Sequence, residues 1–223
     1  MTYPPAPWKL KGYAIQSLHL VNIIKARRFI PPELEIVSVL PGKTIGVVYL
    51  SAYESGSTLE YNELIVAPAS VRYQDKSGSW ISHIYVDNED SVAGGKEIWG
   101  LPKEIAEFTW DNNNVIVRQN DKTLCQLHFQ KGFLRFSSWW RQKFRGNCFG
   151  GLKSDLLYFQ SEFESKINLI NSKLEIAKES PFANLELGTP WLTLKLTEFQ
   201  TIAGIPKIVG NKVPQSSYQE KKL

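Results

Sequence analysis

A mainly β (α+β) domain, antiparallel and carrying a few short helices, is what this sequence predicts. Apolar and polar residues alternate through most of the chain, the period of a half-buried strand. Clusters of Asn, Asp, Gly and Pro break those runs at short intervals, as hairpin and meander turns do. Seven Trp, nine Tyr and eleven Phe among 223 residues favour strands or an aromatic-lined cavity. The length suits one domain, and a composition of 43% apolar and 22% charged residues supplies an ordinary globular core.

The elements follow in order. Pro4, Pro5 and Pro7 make an extended entry that Trp8 pins to the core. Residues 12–21 alternate as a strand. Residues 22–30 switch to helical spacing through Ile23, Ile24, Ala26 and Phe29, and Pro31-Pro32 end that helix. Residues 35–40 and 43–53 read as a hairpin about Pro41-Gly42. A loop at 54–58 leads to an apolar run at 64–73, a turn at 75–78 and a strand at 80–86. Asp87 or Asn88 caps a short helix over 89–98, with Glu89 and Asp90 against its positive end. The turn Gly100-Leu101-Pro102 then delivers Lys103.

The second half reads as a meander at 105–110, 114–119, 123–129 and 133–136. An aromatic and basic loop covers 138–151, and further strands fall at 156–163, 166–174 and 192–199. The domain spans 1–210, and 211–223 is a polar, disordered tail.

A net charge of +4 is mild and lacks the basic stripe of a nucleic-acid binder, so no nucleic-acid partner is expected. Cys125 and Cys148 make neither a disulfide framework nor a zinc spacing. The beginning of the chain reads as lacking a secretory leader, and no apolar run approaches the ~20 residues of a spanning helix. A cytoplasmic protein without a transmembrane segment is the expectation. His19, His83 and His128 stand singly in alternating strands, so no metal is expected.

Lys103 sits where a helix gives way to a strand, a junction that can hold an amine rigidly toward a cavity. The chemistry that uses such a lysine is imine formation with a ketone or aldehyde. The nitrogen must be neutral to attack, and a solvated lysine is neutral only about once in 2,500 copies at pH 7. Desolvation or a neighbouring cation disfavours the ammonium. The protonated imine then stabilises a carbanion at the adjacent carbon, which serves decarboxylation, aldol cleavage or dehydration. No further cofactor is needed. Local pattern alone is more often that of a solvated turn lysine.

Tyr85-Val-Asp-Asn-Glu89, Ala93-Gly-Gly-Lys-Glu97 and Gly100-Leu-Pro-Lys103, taken in that order, resemble the signature of the acetoacetate decarboxylases. Phe29-Ile-Pro-Pro-Glu-Leu-Glu35 is similar to that family's helix exit, and Tyr61-Asn-Glu63 to its loop bearing a site glutamate. The resemblance runs from about Pro4 to Phe108. It implies a conical antiparallel β-barrel enclosing a cavity, Lys103 as Schiff-base lysine and Glu63 as the site carboxylate. Acetoacetate decarboxylase is the known case of a lysine activated by desolvation or a cationic neighbour, so that mechanism comes with the resemblance. The decarboxylases assemble into large oligomers, which implies a homo-oligomer here.

The chain also departs from the family. Glu104 stands where a second lysine follows the reactive one, and the alignment puts an active-site arginine on Tyr13 and a second glutamate on Val48. The missing arginine argues for a carbonyl substrate more apolar than a small β-keto acid. Trp99 and Val48 are candidate apolar walls, and Tyr13, Tyr53, Tyr85 and Glu97 candidate lining residues. Pro7-Trp-Lys-Leu-Lys-Gly12, Gln16-Ser-Leu-His-Leu-Val21 and Leu50-Ser-Ala-Tyr53 resemble the plant decarboxylase-like branch required for neoxanthin accumulation. That branch implies the alternative of a non-catalytic barrel binding an isoprenoid or carotenoid-like ligand. Trp139-Trp-Arg-Gln-Lys-Phe-Arg145 interleaves cations with aromatics, and reads as a cover over the barrel mouth, with an anionic-ligand or membrane surface as the other reading.

Overall fold

A computed structural model describes residues 3–130 and 140–212. The chain runs β1 (Trp8–Asn22), α1 (Ile23–Arg27), β2 (Glu35–Ile36), β3 (Lys43–Tyr53), β4 (Tyr61–Ala67), β5 (Ser70–Tyr73), β6 (Lys76–Trp80) and β7 (His83–Val86). It continues α2 (Glu89–Trp99), β8 (Lys103–Ile105), β9 (Glu107–Asp111), β10 (Asn114–Gln119), β11 (Lys122–Gln130) and β12 (Gln142–Leu152). Then come β13 (Asp155–Leu169), β14 (Asn171–Ile176), a 3-10 turn (Ala183–Leu185), β15 (Leu192–Ala203) and β16 (Lys207–Asn211). The protein is mainly β with few helices, as its alternation predicts.

Two sheets carry the fold. The larger runs β2-β5-β6-β12-β13-β15-β1-β3-β4-β7-β8, with β16 beside β13, and the smaller runs β14-β11-β10-β9. Pairing is antiparallel except for β6 with β12 and β7 with β8. The ladder of the larger sheet ends on β2 and β8 and does not close on itself among the described residues.

Strand periodicity sorts the core into two layers. On one face of the larger sheet Ile15, Val48, Leu50, Leu64, Val66 and Tyr85 pack with Val115, Val117, Leu124, Cys125 and Leu127 of the smaller sheet. On its other face Trp8, Leu10, Tyr49, Tyr53, Tyr61, Ile84, Trp99, Phe159 and Phe199 form a second, strongly aromatic cluster. The candidate site lies in this second layer.

Several local expectations change. The hairpin expected between 35–40 and 43–53 shrinks to a Leu40–Lys43 bridge, because β2 pairs with β5 instead. The apolar run 64–73 is two strands, split where Pro68 cannot donate to a ladder. The helix expected over 22–30 is confined to Ile23–Arg27. The expected loop at 138–151 is largely the strand β12, paired along its length with β13. Among its described residues Arg145 and Arg141 pair with Glu162 and Glu164, and Trp140 is exposed. Within the expected tail, Asn211 still pairs with Asp155, whereas 213–223, like the strand expected at 133–136 and Trp139, lie outside the described residues. Among the described residues no helix is long and apolar enough to cross a membrane.

Candidate functional site

The unit β7-α2-β8 builds the site. Asn88 caps α2 by accepting from the Ser91 amide, and Glu89 and Asp90 stand at its positive end. Gly100 ends the helix in the left-handed region at φ 62°, a conformation that suits glycine. The chain then turns back so that β8 runs parallel to β7, with Lys103 opposite Ile84. Alternation does the rest: Lys103 points inward at 3% exposure, while Glu104 points out and binds Gln119 at 2.9 Å.

Four side chains hold the Lys103 ammonium. Its Nζ donates to Glu63 Oε1 at 2.9 Å and to Ser91 Oγ at 2.9 Å. It also lies 4.8 Å from the centre of the Tyr61 ring and 5.7 Å from that of Trp8, where ring faces attract a cation. Glu63 sits not on a loop, as its motif suggested, but in β4, between Ser51 of β3 and Val86 of β7. Its second oxygen accepts from the Tyr53 hydroxyl at 3.0 Å, and Tyr53 contacts the Tyr49 hydroxyl at 3.2 Å. This is a buried ion pair in which each charged group holds a further hydrogen bond, the arrangement that makes such a pair tolerable. Burial raises the phenol pKa values of Tyr49, Tyr53 and Tyr61, and the charge of Glu63 adds to this, so all three stay protonated at neutral pH.

A cavity of about 520 Å³ opens from this pair. Trp8, Trp99, Tyr49, Tyr53 and Tyr61 line it beside Lys103 and Glu63, and Ile65, Ile81, Phe144, Phe159 and Phe163 extend the wall. The size and the mostly apolar lining with a few convergent polar groups are those of a small-molecule site.

Of the residues singled out from sequence, Lys103, Glu63, Trp99 and Tyr53 come together here. Val48 and Tyr85 do not: they belong to the core between the sheets. Tyr13 packs edge-on against Trp110, with ring centres 5.1 Å apart, and is not in the cavity wall. Glu97 is exposed and accepts from Tyr3, and Glu104 is also exposed. The reason is common to the strand residues. A one-residue offset exchanges the two faces of a strand, so the neighbours Tyr49 and Ala14 face the cavity layer where Val48 and Tyr13 do not.

Sequence reasoning missed Ser91 and Tyr49. A signal existed for Ser91, since Ser91, Gly94 and Gly95 make one small, buried face of α2, which marks close approach by another element. Cys148 lines the cavity, but burial pushes its thiol up to about 12, with Glu63's charge adding, so it is no thiolate at neutral pH. His19 is buried between Ser17 and the Leu187 carbonyl, and His83 bonds Ser82. Among the described residues no three His, Cys, Asp or Glu side chains gather as metal ligands.

Known proteins share both sequence and fold. Residues 1–134 match the acetoacetate decarboxylase (ADC) family model. The tomato (Solanum lycopersicum) Protein NEOXANTHIN-DEFICIENT 1 is 33% identical over 107 residues, 48% of this chain and 36% of that protein. Acetoacetate decarboxylase 3 of Mesorhizobium japonicum is 32% identical over 131 residues, 57% of this chain and 46% of that protein. The aligned stretch thus spans under half the length of either relative. The crystal structure of acetoacetate decarboxylase from Legionella pneumophila superposes with a TM-score of 0.74 at 15% identity, over 95% of this chain and 90% of that one. With the family match covering the whole β7-α2-β8 unit and both members of the lysine–glutamate pair, the chain belongs to the acetoacetate decarboxylase family.

Proposed function

We propose that the protein is a Schiff-base lyase acting on a carbonyl compound more apolar than acetoacetate, with Lys103 as nucleophile and Glu63 as its acid–base partner. The observation that carries this is the Lys103–Glu63 pair, buried at 2.9 Å on the wall of an aromatic cavity. Glu63 takes a proton from the ammonium across their hydrogen bond. The freed amine attacks the carbonyl carbon, forming the C–N bond while the C=O π pair moves to oxygen. Nitrogen's proton passes to that oxygen, giving a carbinolamine. Glu63 then protonates the hydroxyl, water leaves and the nitrogen lone pair closes the iminium. Charge is conserved, one cation beside one carboxylate at start and end. The iminium can then accept the electron pair of a breaking C–C or C–H bond.

In the same proposal the larger sheet is the wall of a conical barrel, the chain assembles as a homo-oligomer, and it works in the cytoplasm. Both cysteines are free, which suits a reducing compartment. The test is incubation with a panel of keto acids and enals, reduction with borohydride, and mass analysis. A reduced adduct on Lys103 is expected; its absence across the panel overturns imine chemistry.

The mostly apolar cavity and the likeness to NEOXANTHIN-DEFICIENT 1 favour a second reading, a non-catalytic barrel holding an isoprenoid or carotenoid-like ligand. Lys103→Ala separates the two. A binder keeps its ligand without that amine, whereas an enzyme loses turnover.

A further inference from the structure

We propose that Tyr49 and Tyr53 form a proton relay that carries the acid–base work of Glu63 to the substrate, with Tyr49 as the group that meets it; this rests on the imine reading of Lys103. Both oxygens of Glu63 are engaged, Oε1 by Lys103 at 2.9 Å and Oε2 by Tyr53 at 3.0 Å. A substrate carbon that gave its proton to Glu63 directly would have to approach an oxygen that already holds a hydrogen bond. The chain of hydroxyls offers a route that keeps both bonds.

Its direction is fixed by valence. Tyr53 has one hydroxyl proton and an ionised carboxylate only accepts, so that proton is committed to Glu63. The 3.2 Å contact between Tyr53 and Tyr49 is then donated by Tyr49. The relay runs Tyr49 to Tyr53 to Glu63, and the Tyr49 oxygen keeps lone-pair capacity toward the cavity that its side chain lines. The two tyrosines stand four residues apart in β3 and so share a face. Tyr53 packs on Tyr61 with ring centres 4.8 Å apart, and Tyr49 on Phe199 at 6.4 Å. Neither phenol ionises by itself at neutral pH, since burial raises both. Protons pass through them without a resting tyrosinate.

The step balances. Once Lys103 has formed an iminium, the α-carbon gives a proton to the Tyr49 oxygen. Tyr49's own proton moves to Tyr53, and Tyr53's to Glu63 Oε2. The C–H pair becomes the enamine double bond, and the C=N π pair returns to nitrogen. Iminium and carboxylate charges vanish together, so the dry cavity holds no new charge. The reverse sequence returns a proton to carbon.

Acetone serves as the probe. An iminium-forming site exchanges acetone's α-hydrogens with solvent through the enamine, so washing deuterium out of perdeuterated acetone faster than buffer alone measures the relay, and borohydride trapping measures the imine. For Tyr49→Phe and Tyr53→Phe the trapped adduct is expected to persist while wash-out falls about a hundredfold or more, the usual worth of an acid–base group. Wild-type wash-out in Tyr49→Phe overturns the relay. So does loss of trapping in step with wash-out, which makes the tyrosines mere supports for the lysine. Wild-type protein giving neither adduct nor wash-out sinks the imine reading, and the relay with it. Should the variants misfold, wash-out by the wild type across H2O/D2O mixtures decides: several protons in flight bow the plot against deuterium fraction, and a straight line overturns the relay.

Discussion

Gly95 and the stem of Lys103 share one volume: a Cβ on Gly95 would lie 2.4 Å from Cδ and 2.7 Å from Cε of Lys103. The lysine crosses α2 where the helix has no side chain, and this fixes the amine between Ser91 and Glu63.

Gly95→Ala is therefore expected to displace the amine. The clash falls on the middle of the stem and not on its free end, so the whole side chain must move. Overpacking of this kind costs about 1–3 kcal/mol. Borohydride trapping with any carbonyl that labels the wild type should drop at least about tenfold, the consequence of misplacing a reacting group by an ångström or so.

Lys103→Met leaves the Glu63 carboxylate buried without its counter-ion. Breaking a buried pair from one side costs about 3–5 kcal/mol, whereas replacing both members can be neutral. Urea unfolding should show Lys103→Met strongly destabilised and Lys103→Met/Glu63→Gln recovering most of the loss. Equal stability of the single variant and the wild type would contradict a charged, buried pair.

Glu104→Lys restores the lysine that the family places after its reactive one, yet little should change. Glu104 points outward to Gln119, away from the amine. The expected shift in stability is within about 0.5 kcal/mol, with trapping on Lys103 altered by no more than about twofold. A large change in trapping would mean that residue 104 reaches the site.

His19 makes stability depend on pH. Burial holds its pKa below the ordinary value of 6.5, its backbone bonds opposing in part. The unfolded histidine takes up a proton near pH 6.5, and the folded one only at lower pH. Its contribution is complete above ~6.5 and is lost as pH falls through the folded-state pKa, at no more than about 1.4 kcal/mol per pH unit. His83 is lowered by burial as well and acts in the same sense. His19→Gln should make the melting temperature less sensitive to acidification below neutrality; an unchanged slope would remove His19 as a cause.

How much of this is legible in the sequence depends on the range of the interactions. Helix α2 is legible nearly to the residue, because Asn88, Glu89, Asp90 and Gly100 act on their own helix. Lys103 and Glu63 are legible through spaced motifs. Val48, Tyr13 and Tyr85 are not, since alignment fixes a strand to within a residue while the pleat assigns its face residue by residue. The partnership of β2 with β5 is lost for another reason. A Pro-Gly turn announces a hairpin, and nothing local shows that a distant strand competes for the same edge. Ser91 and Tyr49 join the site from α2 and β3, elements that the sequence holds forty residues apart or nearly so, and only the folded sheet brings them together.

Trp8 and Trp99 meet edge to face with ring centres 4.8 Å apart, and the Trp99 indole donates to the Gly204 carbonyl at 2.8 Å. One corner of the cavity is thus stitched from the early, middle and late parts of the chain. The pocket wall draws on residues from Trp8 to Ala203, so neither half of a molecule cut in two contains it whole. The partners that hold the amine, Trp8, Tyr61, Glu63 and Ser91, all precede it in the chain, whereas Phe144, Phe159 and Phe163 of the far wall all follow it. Severing the chain between β8 and β12 would therefore part the charge from the chamber it faces.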